Sequence, residues 1–136
     1  MAFSAQRLLD HVFAPQTQTY SARDIILYAL GLGLGADPLD RPSLDFLLED
    51  RLRPLPTFAV TLGSPGMWVK DPILEIDWKR LVHIAQSAVF HRPLPLEAHV
   101  IGHSTIIDVA DRGAHAGAVV RIERGVYDAD QNDRLC

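Results

Sequence analysis

The chain has a single cysteine, at position 136, so an internal disulfide framework is excluded and the fold must rest on its core, which fits a reducing compartment. It also lacks a long hydrophobic run. The longest, over residues 25–34, is interrupted by Gly31 and Gly33 and falls short of the roughly 20 apolar residues that a membrane-spanning helix requires. The N-terminus shows no apolar stretch after its first charge, so no secretory signal is expected. Basic charge is scarce: the net charge is −4 and the pI about 5.8, which argues against nucleic acid as a partner. The expected setting is the cytoplasm, or an organelle matrix in a eukaryote, with no membrane partner.

What is present is apolar content, 48% over 136 residues, enough for one core and one domain spanning 1–136. The stretch that organises the rest is residues 55–63, Leu-Pro-Thr-Phe-Ala-Val-Thr-Leu-Gly. A proline suited to a first helical turn opens it and a glycine closes it. Read as apolar all round, with no polar face, such a helix is expected to be wrapped on every side by an antiparallel sheet, with Phe58 and Leu62 buried. This is an α+β, hot-dog arrangement.

Taken in order, Leu8, Leu9, Val12 and Phe13 share one side of an amphipathic segment that Pro15 stops, and residues 16–19 read as a polar loop. Ser21 with Asp24 forms a capping box in which Asp stands for the usual Glu or Gln. The helix it opens carries Ile25, Ile26, Tyr28, Ala29 and Leu30, and Gly31, Gly33 and Gly35 end it. Strands are expected at residues 44–49, 84–92, 99–109 and 118–127, the last with Val120 and Ile122 alternating with Arg121 and Glu123. The loop between residues 64 and 83 is expected to be packed by Trp68 and Trp78. Residues 134–136 look like the start of a further strand, so the last strand of the sheet is expected to be missing or incomplete.

Four separated motifs carry a resemblance. They are Tyr20-Ser21-Ala22-Arg23-Asp24 with Leu27-Tyr28-Ala29-Leu30-Gly31, then Leu55-Pro56-Thr57-Phe58, then His91-Arg92-Pro93-Leu94-Pro95, then Asp111-Arg112-Gly113 through Gly117-Ala118. In this order and spacing the chain resembles the N-terminal half of MaoC-like dehydratases. More narrowly, it is similar to the N-terminal hot-dog domain of type-2 (R)-specific enoyl-CoA hydratases, also found in peroxisomal multifunctional enzymes of fatty-acid β-oxidation. The resemblance implies hydration of a trans-2-enoyl-CoA, or the reverse dehydration, on a double hot-dog scaffold. No cofactor is implied beyond the coenzyme A thioester of the substrate. In that family the C-terminal half carries Gly-Asp-x-Asn-Pro-x-His, whose Asp and His do the acid/base work.

That motif is missing here. None of the histidines at 11, 83, 91, 99, 103 and 115 has an aspartate five residues before it, and no Gly-Asp dipeptide occurs. General acid/base catalysis needs such groups within hydrogen-bond reach of the proton they move, so no catalytic residue is assigned to this chain. Relatives commonly read His-Gly-Glu-Gln where this chain has His83-Ile84-Ala85-Gln86, which keeps the outer pair and loses the carboxylate. A lysine frequent in the family is replaced by Ala116.

The candidate acyl-binding residues are Tyr28, Pro56 and Phe58 along an apolar tunnel and His83 with Gln86 at its thioester end, set against plain core and surface roles for each. His91-Arg92 is weighed as a phosphate contact against a solvated strand end, Arg51, Arg53, Lys79 and Arg80 read as surface charges, and Cys136 as an exposed end residue.

Three function classes are expected to compete. One is a non-catalytic acyl-CoA-binding half acting in a homo- or heterodimer with another hot-dog domain. The second is an independent thioesterase or divergent dehydratase homodimer using His83 or Asp108. The third is a structural module without a ligand.

Overall fold

The computed structural model describes residues 4–113 and 115–136. Three strands form one antiparallel sheet in the order β1 (Gln16–Tyr20), β2 (Ala98–Asp111), β3 (Ala118–Asp128). β2 pairs with β1 through Thr17↔Ile101 and Tyr20↔Ala98, and with β3 from Val100↔Asp128 to Asp111↔Ala118. A bulge between Ile106 and Asp108 shifts the alternation by one residue. As a result Val109 and Val120 stay with Ile106 on the packed face, against Leu8 and Leu74.

Between β1 and β2 the chain is helical or irregular. Helix α2 (Ala22–Gly31) follows β1 directly, capped by the expected box: the Ser21 N–H donates to Asp24 Oδ2 at 2.9 Å. Its end is a Schellman motif. Gly33 sits at φ +88°, its N–H donates to the Leu30 carbonyl, and the Leu34 N–H reaches back to Ala29. The short helices α1 (Ala5–Leu9) and α3 (Arg41–Leu44) flank this unit.

The organising segment is a 3₁₀ helix, Pro56–Thr61, with Phe58, Ala59 and Leu62 buried beside Tyr20, Ile25, Val100, Val126 and Leu135. Burying a side chain such as Phe58 stabilises the fold by about 1.5–3 kcal/mol. Contrary to the sequence expectation, the segment is not wrapped on every side, because Pro56, Thr57 and Thr61 are exposed. Thr57 and Thr61 supply a wettable side, so the reading of the segment as apolar all round is corrected. Where the segment ends, Gly63 (φ +56°) lies back to back with Gly102 of β2. A Cβ on Gly63 would sit 2.6 Å from the Gly102 Cα, so backbone touches backbone here and only glycine permits it. The Gly63 N–H is held by Gln18 Oε1 at 3.0 Å.

Three further expectations are corrected. Residues 16–19 are strand, because the Gln-Thr-Gln-Thr alternation aims Gln16 and Gln18 at the packed face, where Gln18 has the Gly63 N–H as its partner. Residues 44–49 are not a strand: Pro42 sits in the first turn of α3, and the backbone closes on itself through Leu48 N–H to Leu44 O at 2.9 Å. Residues 84–92 have strand composition but belong to no strand. β2 starts one residue earlier and ends two later than expected, and β3 ends one residue later.

At the N-terminus Leu8 is buried and Phe13 partly so, whereas Leu9 is exposed and Val12 is 87% exposed, since α1 ends before the amphipathic stripe does. Trp68 packs as expected, edge-on to Phe13 at 5.2 Å, but Trp78 is exposed with Lys70 Nζ over its ring. Among the described residues no helix is long and apolar enough to cross a membrane.

Candidate acyl-binding site

Strand β1 ends in Tyr20, α2 begins two residues later at Ala22, and the 3₁₀ segment lies against both, which brings three aromatics together. Phe58 has the Tyr20 ring at 5.2 Å and the Tyr28 ring at 5.5 Å, both edge-to-face. Phe58 and Tyr20 are buried, Tyr28 is half-buried, and Pro56 stands exposed at the opening of the segment. Tyr28, Pro56 and Phe58 therefore share one neighbourhood.

His83 and Gln86 do not join it. Both are exposed on the unpaired stretch that follows the last 3₁₀ turn (Trp78–Arg80), where His83 Nε2 lies 2.9 Å from the Ala85 carbonyl. Two shallow surface grooves lie elsewhere. One is bounded by α1 and Ile73, the other by His103, Glu123, Tyr127 and Arg134 on the outer face of the sheet.

A polar cluster that the sequence reading did not single out sits under the aromatics. The Tyr20 hydroxyl donates to the Pro95 carbonyl at 2.9 Å, and Arg92 donates to Asp128 Oδ2 at 3.2 Å and to Gln131 Oε1 at 3.0 Å. Burial pushes the Tyr20 phenol up to about 12; the nearby Asp128 charge adds to this and Arg92 opposes it. Only the run of carboxylates at 128, 130 and 133 signalled a destination for Arg92. With these partners Arg92 ties the end of β3 to the chain before Pro93, instead of standing as a solvated strand end. Arg51 and Arg53 both pair with Asp45, at 3.2 and 2.9 Å, on the surface.

Cys136 differs from its expected exposed state. It is half-buried against the main core, and burial raises its thiol pKa, with Arg124 and Arg134 acting the other way. Asp108 is exposed, 4.0 Å from Arg121. No acid/base pair is assembled around Phe58 by any of these contacts. What the aromatic group offers chemically is an apolar wall with two phenols, those of Tyr20 and Tyr28.

The chain has measurable relatives. The family model described as the MFE-2 hydratase 2 N-terminal domain matches residues 18–136. The chain is 33% identical to the peroxisomal enoyl-CoA hydratase 2 of Arabidopsis thaliana, over 98% of this chain and 45% of that protein. It is 31% identical to the enoyl-CoA hydratase ChsH3 of Mycobacterium tuberculosis, over 75% of this chain and 37% of that one. It thus spans about half the length, or less, of these curated relatives.

Among solved structures, a MaoC-like dehydratase from Phytophthora capsici superposes with a TM-score of 0.61 at 21% identity, covering 96% of this chain and 45% of that one. The full-length peroxisomal multifunctional enzyme type 2 of Drosophila melanogaster gives 0.60 at 23%, covering 89% and 21%. At these identities the structural likeness speaks for fold.

Proposed function

Because the chain belongs to the MFE-2 hydratase 2 N-terminal domain family and has its hot-dog fold, we propose that it is the acyl-thioester-binding, non-catalytic half of an (R)-specific enoyl-CoA hydratase. Its work is to hold a trans-2-enoyl-CoA, or the 3-hydroxyacyl-CoA in the reverse direction, for a second hot-dog half that supplies the acid/base pair. The observation that carries this reading is the combination of a family match over residues 18–136 with the absence of any Gly-Asp-x-Asn-Pro-x-His sequence. A chain that keeps the family's frame but not its proton-transfer groups can bind and orient, and needs a partner for the chemistry.

In this reading Phe58, Tyr28 and Pro56 border the acyl chain, and His83 and Gln86 face the thioester once they are fixed in place. Coenzyme A enters as part of the substrate, and no further cofactor is required. The peroxisomal relative supports an organelle matrix as the setting in a eukaryote.

The test is reconstitution. The purified chain should give no hydration of trans-2-enoyl-CoA above background, and activity should appear on mixing with a hot-dog protein that carries the motif. Turnover by the chain alone, abolished by His83→Ala, would overturn the proposal in favour of an independent enzyme.

A further inference from the structure

The connection that follows Gly63 contains three single 3₁₀ turns, Trp68–Lys70, Pro72–Leu74 and Trp78–Arg80. Trp68 is packed, but Trp78 is 40% exposed and gathers cations around it. Lys70 Nζ lies 4.6 Å from the centroid of its ring and Lys79 Nζ 6.0 Å from it. The negative face of the indole attracts both ammonium groups, so it keeps together two like charges that would otherwise move apart. Arg80 closes the same turn, and all four side chains are exposed.

From the sequence, Lys79 and Arg80 read as surface charges. Their surroundings differ from those of Arg51 and Arg53, which share Asp45. Among the described residues, none of the ion pairs involves Lys70, Lys79 or Arg80. The carboxylates nearest in the chain are engaged elsewhere. Glu75 pairs with Arg7 at 2.7 Å, and Asp71 accepts the Ile73 N–H at 2.9 Å. Asp77, which precedes the turn, is the remaining carboxylate of the stretch.

We propose that Lys70, Lys79 and Arg80 form the seat for the phosphorylated nucleotide end of the coenzyme A thioester, with its 3′-phosphate and its diphosphate. The identity of the ligand rests on the function proposed above; the anion seat itself does not.

Three observations favour this ligand. First, several cations held within one loop suit a group that carries several phosphates: lysine meets each as a point charge, and a guanidinium can take two phosphate oxygens at once. Second, the cluster lies close to the residues assigned to the thioester. Arg80 and His83 are three positions apart, at most about 11 Å of extended chain, and the pantetheine arm is the part of coenzyme A that bridges such a gap. Third, the rival anion fits less well. An anionic bilayer also takes lysine beside tryptophan, but the net charge of −4 works against one, and a single 3₁₀ turn gives no amphipathic helix to lie in its surface.

The substrate would then run along one side of the molecule, from the cations at Trp78 through His83 and Gln86 to the aromatics at Phe58.

Isothermal titration of the 136-residue chain with coenzyme A, dephospho-coenzyme A and pantetheine is the test. Coenzyme A should bind, dephospho-coenzyme A about tenfold more weakly, and pantetheine not measurably, with the first affinity falling as salt is raised. Lys70→Gln, Lys79→Gln and Arg80→Gln change exposed side chains, so each should keep the circular dichroism spectrum and weaken coenzyme A by about three- to tenfold. Arg51→Gln, on the pair with Asp45, should leave the affinity as it is.

No binding of coenzyme A at millimolar concentration, equal affinity for pantetheine, or undiminished affinity in the triple glutamine variant would each overturn the seat. Capture by phosphatidylglycerol vesicles that the triple variant loses, without binding of coenzyme A, would overturn the nucleotide in favour of a bilayer. Coenzyme A held by the three cations, with no hydration on mixing with a motif-bearing half, would remove the proposed function and leave the seat. Hydration with the same KM in the triple variant as in the unaltered chain would do the reverse.

Discussion

The stretch from β2 to the C-terminus and the stretch between α2 and β2 use similar amounts of apolar residue to opposite effect. In the first, most large apolar side chains have a place: Val100, Ile106, Val126 and Leu135 are buried, and only Ile107 and Ile122 are among the exposed large ones. In the second, Leu52, Phe58, Leu62, Val69, Leu74 and Leu94 are buried, but Leu39, Ile73, Val82, Ile84 and Val89 are all more than two-thirds exposed. The difference is hydrogen-bonded neighbours. A strand with a partner on each side fixes which face its side chains take, whereas an extended segment without one leaves the same side chains in water. Composition makes a strand possible and pairing makes it real.

The largest test of this contrast is a pair of substitutions, one in each region. Gly102→Ala adds a single methyl group where the backbones of β2 and Gly63 touch, so the two must separate. Destabilisation of about 1–3 kcal/mol is expected, from overpacking against backbone that cannot rotate away. Val89→Ala removes two methyl groups from an exposed residue, and a change within about 0.5 kcal/mol is expected. Urea denaturation measures both. If the two cost the same, the division into a paired and an unpaired region has no energetic content.

The same contrast explains what could be read from the sequence. β2 and β3 were legible because Val120 and Ile122 alternate with Arg121 and Glu123, and the helix start because Ser21 and Asp24 form a local signal. β1 was not, since its packed face presents glutamines, and the partner of Gln18, the Gly63 backbone, lies 45 residues away. Residues 84–92 were misread for the converse reason: periodicity reports a preference and says nothing of whether an edge is there to receive it.

At the candidate site, the apolar grouping of Tyr28 with Phe58 followed from residue type. The tie from Arg92 to Asp128 spans 36 residues and has no local signature.

A second, smaller effect probes the polar layer beneath the aromatics. The Tyr20 phenol is raised to about 12 in the fold, mainly by burial, against about 10 when unfolded. The fold therefore favours the neutral phenol. Its contribution is fully present below pH 10 and is lost as pH rises from 10 towards 12, because the unfolded chain releases the proton first. Stability should fall across that window, and Tyr20→Phe should flatten the fall while costing the hydrogen bond to Pro95 at neutral pH. An equally steep decline in the variant would remove Tyr20 as its cause.

The smallest expected effect lies at the start of α2, ahead of both regions. Asp24 accepts the Ser21 N–H and the Ser21 hydroxyl, and these two bonds, the backbone one first, hold its carboxyl below the usual aspartate value. The side chain is exposed, so the worth of the box is that of a helix cap in water, and Asp24→Ala should cost about 0.5–1 kcal/mol. The sign with pH is opposite to that of Tyr20: a lowered carboxyl pKa contributes stability above the unfolded value near 4, lost as pH falls through the folded one. Asp24→Asn should therefore weaken the chain at pH 7 and be nearly neutral at pH 2. That comparison holds the side-chain shape fixed and changes only charge. If Asp24→Asn costs as much at pH 2 as at pH 7, the cap acts through shape alone, and α2 depends on its packing by Ile25 and Ala29 and not on the start signal read from the sequence.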